Sequence, residues 1–362
     1  MKMAPLLRAI AKYPQIEATL IHTGQHYDPN LSDVFFEDLE MRRPDLCLDV
    51  GSGSHAMQTA RVLERFEAVL LQAAEQGRPF DRVIVVGDVN STMAATLAAA
   101  KCSVPVAHVE AGLRSFDRSM PEELNRLVTD VLADMLFVSE PGGVQNLLRE
   151  GTDERKIFLV GNVMIDTLRR MLPKARSRRG LQSHGLAPGG YGVVTLHRPS
   201  NVDDPAVLGR LLDVLVEVSR CIPLVFPVHP RTRQRMEQHA VWQRLPDGAR
   251  ILVLPPIGYV DLLEFTSQAK VIVTDSGGLQ EEATALGVPC LTMRFNTERP
   301  VTVSEGTSTL VGNDPHALRE QLDAVLKGSY KRGTCPELWD GRAADRIANI
   351  LAQGAGAATS RP

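Results

Sequence analysis

Short, uninterrupted apolar runs recur along this chain, and they limit its fold more than any other feature. They include Glu17–His22, Arg82–Gly87, Val104–Val109, Met135–Val138 and Ile157–Val160. A second series follows: Gly192–Leu196, Leu224–Val228, Ile251–Leu254, Val271–Thr274 and Pro289–Thr292. Most are continuous rather than alternating, the pattern of strands buried on both faces of a parallel sheet. The stretches between them have helical spacing, as in Met57–Ala74 and Pro205–Val218. Strand alternating with helix implies βαβ units, and 362 residues allow two such domains. The expected class is α/β, with two Rossmann-like parallel-sheet domains facing across a cleft, a common place for a ligand. The basic, Gly- and Ser-containing stretch Lys174–Gly190 reads as a surface connection near the junction. The expected division is residues 1–167, residues 168–345, and a C-terminal tail, 346–362, frayed after Gln353.

Composition removes several function classes. Apolar residues make up 44% and charged ones 23%, with a net charge of -3. That leaves no basic footprint for nucleic acid and no polybasic membrane patch. No apolar stretch approaches the roughly 20 residues of a membrane span, and the N-terminal apolar region is too short for a signal peptide. The five cysteines, Cys47, Cys102, Cys221, Cys290 and Cys335, form no CxxC pair. They read as reduced thiols of a cytoplasmic protein. No His/Cys set has zinc-ligand spacing, so no metal is expected.

The chemistry lies at strand ends. Asp88 and Glu110 each close an apolar run, and a carboxylate is costly to bury without a purpose. In open α/β sheets, ligands bind outside the carboxyl ends of the strands. Glu122 and Glu123 follow Pro121 shortly afterwards. Acidic groups gathered at the mouth of a sheet read as acid/base equipment, and so as an enzyme.

In the second half, Ser276, Gly277 and Gly278 open a helix directly after the run ending at Thr274. Free N–H groups and a partial positive charge there suit a diphosphate. The alternative is a plain glycine turn with Asp275 or Ser276 as N-cap. Glu281 and Glu282 lie one turn in, where a carboxylate can reach a ribose hydroxyl pair. His197 ends another run and is either an acid/base or phosphate-donating group or a strand-end His that is only hydrogen-bonded. His229 repeats the pattern at the next strand end. Arg294 precedes Thr297-Glu-Arg-Pro300, and clustered Arg suits a diphosphate, although Arg–Glu pairs are often structural. Thr23-Gly-Gln-His-Tyr-Asp28 follows the early strand as a polar turn. Gly161-Asn162 reads as a turn at the crossover between halves.

These stretches occur in a telling order: Lys2-Met-Ala-Pro-Leu, Thr23-Gly-Gln-His, Gly87-Asp-Val-Asn-Ser-Thr92, His108-Val-Glu-Ala-Gly-Leu-Arg-Ser115, Pro121-Glu-Glu-Leu-Asn-Arg126, Gly161-Asn-Val-Met-Ile-Asp166, His197-Arg198, Asp275–Glu282 and Thr297-Glu-Arg-Pro300. The chain thereby resembles the non-hydrolysing UDP-N-acetylglucosamine 2-epimerases, whose two-domain fold is shared with many glycosyltransferases. The resemblance implies a cofactor-free reaction on a UDP-sugar. A base takes the C2 proton while UDP leaves C1. A glycal forms, the proton returns to the opposite face, and UDP re-adds. Asp88, Glu110 and Glu122 carry over as catalytic acidic residues, with His197 near the diphosphate. Ser276, Gly277, Gly278 and Glu282 carry over as the UDP cradle and ribose contact. Lys2, Arg114, His229 and Arg294 complete the expected substrate-binding set. A homodimer is implied as well.

Some positions depart from the family pattern. Members have a strand and a Gly-Thr-Arg-Pro-Glu type loop before the residue matching Lys2. Here Met1 directly precedes that Lys, which reads as a start assigned too late. A chain truly starting here is expected to be poorly stable and weakly active. Val89 stands where Thr is usual, and Pro199-Ser200 where many members have an acidic residue. The Gln25-His26-Tyr27-Asp28 form departs from that of allosterically activated members. It matches relatives that epimerise UDP-2,3-diacetamido-glucuronic acid, so the reaction type is more firmly implied than the sugar.

Overall fold

A computed structural model describes residues 1–24, 36, 38–246 and 248–358. The chain divides into two compact units: Met1–Thr167 with Glu337–Pro362, and Leu168–Pro336. The segment Gln25–Asp28 lies outside the described residues.

The strands of the first unit are β1 (Ile21–His22), β2 (Leu46–Cys47), β3 (Val83–Val86), β4 (Val106–Ala111), β5 (Met135–Val138) and β6 (Ile157–Leu159). They form a parallel pair, β1-β2, and a four-stranded parallel sheet in the order β3-β4-β5-β6. Its longer helices are α1 (Met3–Ile10), α2 (His55–Glu75), α3 (Asn90–Lys101), α4 (Pro121–Leu132) and α5 (Pro141–Arg149). One face of the larger sheet packs Val83, Val85, Val106 and Leu136 against Val62 and Phe66 of α2 and the alanines of α3. The other packs Ala107, Val109 and Phe137 against Leu6, Ala9 and Ile10 of α1. Apolar burial on both faces is what makes these strands continuous apolar runs.

The strands of the second unit are β7 (Gly192–Thr195), β8 (Leu224–Pro227), β9 (Ile251–Leu254), β10 (Val271–Thr274), β11 (Cys290–Thr292) and β12 (Ser308–Leu310). All pair in parallel, in the order β12-β11-β10-β7-β8-β9. From β7 the chain winds outward through β8 and β9, then crosses back to β10 and winds the other way. The order therefore reverses between β7 and β10, the topological switch point at which open α/β sheets bind ligands.

The first segment of the first unit ends at Thr167, inside helix α6 (Val163–Arg176) and ahead of the Gly/Ser stretch 174–190. Gly180–Ser183 in that stretch is a short helix, with the N–H groups of Gly180 and Leu181 donating to Glu264. One boundary differs from the sequence reading: the second unit ends at Pro336, not 345. From Glu337 the chain belongs to the first unit. There Ala343, Ile347, Ala348 and Leu351 join the apolar layer around α1, and Trp339 is buried with its indole N–H donating to the Ser139 carbonyl at 3.0 Å. The helix Ala343–Ala358 thus occupies much of what composition alone suggested was a frayed tail. Asp166 caps its start, accepting from the N–H groups of Ala343 (3.1 Å) and Ala344 (2.6 Å).

Gly161 is needed where the returning segment passes. Its φ is +89°, and a Cβ there would lie 2.1 Å from the Leu338 carbonyl oxygen. Gly161→Ala combines left-handed strain with a clash against backbone. It is expected to cost about 3 kcal/mol or more, measured as a lowered urea midpoint. Parent-like stability would contradict this packing of the return segment.

Candidate functional site

In the first unit the chemistry collects where β3 and β4 end. Gly87 follows β3 with φ +76°. A Cβ at this position would sit 3.1 Å from Lys2 Nζ and 3.7 Å from Glu110 Oε2, so both charged groups lie against its backbone. Lys2, at the start of α1, forms an ion pair with Glu110. Asp88 comes next, half-buried, and Arg126 NH1 donates to its Oδ2 at 2.5 Å. The Asn125 amide donates to the Asp88 carbonyl at 2.9 Å. Asp88, Glu110 and Lys2 are thus brought together around one glycine.

Glu110 is not an ordinary strand residue. The β4–β5 register pairs Val109 with Phe137 and Ala111 with Val138, leaving Glu110 unmatched. Its φ is +75°. It is a bulge residue, and β4 continues one residue beyond it.

Glu122 and Glu123 separate. Glu122 is half-buried in the first turn of α4. Glu123 is buried, and its carboxylate accepts from Ser115 N (2.9 Å), Phe116 N (3.0 Å) and Arg126 NH2 (2.8 Å). Burial pushes its pKa up, but the Ser115 N–H and Arg126 outweigh that and hold it below the ordinary value. Glu123 fixes the 115–116 loop.

Arg114 departs from expectation. Its guanidinium is buried, donating to Glu150 (2.8 and 2.6 Å), Asp130 (2.7 Å) and the Leu113 carbonyl (2.8 Å). With its donors engaged in the interior, it is a structural cation rather than a substrate contact.

In the second unit the site residues lie at the switch point. The parallel register sets Thr274 of β10 beside Thr195 of β7, so Asp275 emerges beside His197. Asp275 is fully buried. It accepts from the backbone N–H groups of His197 (2.9 Å) and Arg198 (2.8 Å) and from the Asn201 amide (3.0 Å). His197 Nδ1 lies 2.7 Å from its Oδ1. Burial opposes ionisation, but His197 and these donors hold the Asp275 pKa below normal. The aspartate therefore orients His197, whose ring centroid lies 5.5 Å from that of His229. His229 is exposed, and its Nδ1 accepts from Arg231 N at 3.2 Å. Burial and the neighbouring His197 lower its pKa.

Ser276 is the N-cap of the helix Gly277–Leu286, its hydroxyl accepting from Leu279 N. Gly277 has a structural reason to be glycine. A Cβ there would meet Arg299 NH1 at 3.0 Å and Glu298 Oε1 at 3.1 Å. Arg299 pairs with Glu298 and, at 2.6 Å, with Glu281. Arg294, also buried, donates to Glu298 at 2.7 Å. The Arg cluster that read as diphosphate-binding is a buried ion network beneath the glycine turn, and Arg294 belongs to that network rather than to an open phosphate site.

Glu282, next to the paired Glu281, is buried and bonded to the Tyr259 hydroxyl at 2.8 Å. Burial, with the Glu281 charge adding to it, pushes its pKa up to about 7.

Sequence reading missed Arg126, Asn125, Asp130 and the orienting role of Asp275. The i, i+3 spacing of Glu123 and Arg126, which pair on one helix, was a usable signal. Asp130 carried none, because what distinguishes it is burial against distant partners.

Because folding raises the Glu282 pKa, the unfolded chain loses this proton first as pH rises. Stability from this group is intact below about pH 4.5 and falls as pH rises through 7, by about 3 kcal/mol. Urea titrations at pH 5 and pH 8 should show the parent losing stability relative to Glu282→Gln. A difference that does not change with pH would contradict this environment for Glu282.

Comparison with known proteins agrees with this architecture. A family profile described as UDP-N-acetylglucosamine 2-epimerase matches residues 8–352. The UDP-N-acetylglucosamine 2-epimerase of Methanocaldococcus jannaschii is 40% identical, covering 98% of this chain and 96% of its own. The UDP-2,3-diacetamido-2,3-dideoxy-D-glucuronate 2-epimerase of Pseudomonas aeruginosa is 38% identical, covering 97% and 96%. A crystal structure of the M. jannaschii enzyme in complex with UDP-GlcNAc and UDP superposes with a TM-score of 0.86 at 39% identity, over 98% of this chain and 96% of that one. With its sequence matched almost from end to end and its fold shared, the chain belongs to the UDP-N-acetylglucosamine 2-epimerase family.

Proposed function

We propose that this protein inverts C2 of UDP-N-acetylglucosamine, giving UDP-N-acetylmannosamine by elimination and re-addition of UDP. The observation that carries the reading is the gathering of Asp88, Glu110 and Lys2 about Gly87, with Arg126 on Asp88. Two carboxylates held by fixed cations at strand ends are suited to moving a proton. In this reading Asp88, Glu110 and Glu122 serve C2. One carboxylate takes the proton as the C1–O bond breaks, leaving 2-acetamidoglucal and UDP. A proton then adds to the opposite face, and UDP re-forms its bond to C1. His197, held by Asp275, serves the diphosphate together with His229 and the Ser276–Gly278 turn, and Lys2 serves substrate binding beside Glu110. Glu282 meets the ribose. The reaction needs no cofactor, because the pair freed from the C2–H bond becomes the C1=C2 double bond of the glycal while the C1–O pair leaves with UDP, and re-addition reverses both with no net change of oxidation state.

We further propose a cytoplasmic role in supplying precursors of bacterial surface polysaccharide. A homodimer belongs to the same reading. Leu124, Val128 and Val131 of α4 are exposed at i, i+4, i+7 spacing, an apolar stripe suited to a second copy. Light scattering should give twice the mass of one chain, and Val128→Glu should return it to a single chain. A parent protein of single-chain mass would remove the dimer.

A second sugar has specific support. The P. aeruginosa relative, named for the diacetamido-glucuronate, is nearly as similar as the M. jannaschii one. Both substrates should therefore be incubated separately in heavy water, without acceptor, and C2 followed by NMR. Deuterium at C2 and appearance of the manno epimer are expected. Asp88→Asn, Glu110→Gln and Glu122→Gln should each slow exchange by about 10²- to 10⁴-fold. Binding without exchange would make the protein a UDP-sugar binder, and exchange only with an added acceptor would favour a glycosyltransferase.

A further inference from the structure

His108 takes no part in the reaction proposed above, yet its surroundings are unusually constrained. It lies on β4, two residues before Glu110, with no solvent exposure. Its Nδ1 lies 2.6 Å from Asp130 Oδ1, and its Nε2 lies 2.9 Å from the carbonyl oxygen of Gly87. A carbonyl oxygen can only accept. Asp130 is held ionised: burial opposes this, but His108 and Arg114 outweigh it and keep the Asp130 pKa below normal. Because the Gly87 carbonyl only accepts, Nε2 carries a proton and donates to it. Asp130 also accepts from the buried Arg114 guanidinium, which pairs with Glu150.

Both ring nitrogens are spent on buried partners, so the ring links the groups it bonds. Asp130 Oδ2 accepts from Gly112 N at 3.0 Å, fixing the backbone just beyond Glu110. Through His108 the same carboxylate reaches the Gly87 carbonyl, fixing the backbone just before Asp88. One buried aspartate thus sets both strand ends.

We propose that His108 is a positioning residue, whose Nε2–H bond to the Gly87 carbonyl fixes the Gly87–Asp88 peptide and so aims the Asp88 carboxylate. The proposal rests on the reading of Asp88 as a group acting at C2.

Two variants separate aiming from packing. An Asn at 108 can keep the bond to Asp130 but falls short of the Gly87 carbonyl, whereas Gln can reach that carbonyl. His108→Asn should lower kcat on the order of 10²-fold with little change in KM. His108→Gln should recover most of the loss at a similar melting temperature. Equal kcat in the two variants, or an unchanged kcat in His108→Asn, would overturn the proposal. The bond is read without turnover: nitrogen-15 NMR of the histidine-labelled parent should show His108 Nε2 protonated. A bare Nε2 would refute the bond to Gly87, and this decides the matter should the variants not fold. If the parent itself fails to exchange C2 while Nε2 is protonated, the functional reading falls and the clamp on Gly87 stands.

Discussion

A carboxylate removed from water must be met by fixed donors, and each unit of this protein is organised around one that is. In the first unit it is Asp130, held by Arg114, His108 and the Gly112 N–H. In the second it is Asp275, held by His197, the Arg198 N–H and Asn201. An unpaired charge in either place would cost about 3–5 kcal/mol, a large share of the stability of an ordinary domain. The donors are therefore not free to wander. Because they belong to strand ends and the loops just beyond, satisfying the carboxylate also sets the site.

The same logic gives neighbouring carboxylates different states. Glu281 and Glu282 are adjacent in one helix and both buried. Glu281 faces Arg299 and is paired. Glu282 faces the Tyr259 hydroxyl, and burial raises its pKa to about 7. Glu122 and Glu123 divide similarly, one half-exposed and the other absorbed in holding Ser115 and Phe116. Sequence places such pairs side by side. Environment decides which member can meet a ligand.

That distinction explains what was legible beforehand. The continuous runs revealed the parallel sheets because two-sided burial leaves a composition that needs no partner to be recognised. Met135–Val138, Ile251–Leu254 and Val271–Thr274 are strands with the bounds read from sequence. Leu46–Cys47 and Ser308–Leu310 were missed, being two and three residues long and partly exposed. Among the site residues, Asp88, Glu110 and His197 were visible because a polar group closing an apolar run is anomalous. Arg114 and Arg294 looked equally available and are instead buried in ion networks, since a sequence does not say which cations face inward. The return of residues 337–358 to the first unit was hidden for a related reason. The helix is rich in Ala and Gly, and its apolar side acquires meaning only against α1.

Glu110 shows how such an anomaly is made affordable. In a regular strand Val109 and Ala111 would face the same side of the sheet. Here Val109 joins the layer around α1 and Ala111 joins the opposite layer with α2 and α3. The change of side requires one residue outside the alternation, and Glu110 is that residue. Were β4 regular, position 110 would fall in the apolar layer with Val106, and a carboxylate there would face apolar side chains. The bulge instead takes Glu110 out of the ladder and brings its carboxylate to Lys2 beside Gly87. A left-handed backbone at a non-glycine residue costs about 1–3 kcal/mol. Apolar packing by both flanking residues, each on its own face, offsets that cost in a way an isolated loop could not. The acidic group at the end of the strand is therefore a consequence of the sheet's own packing.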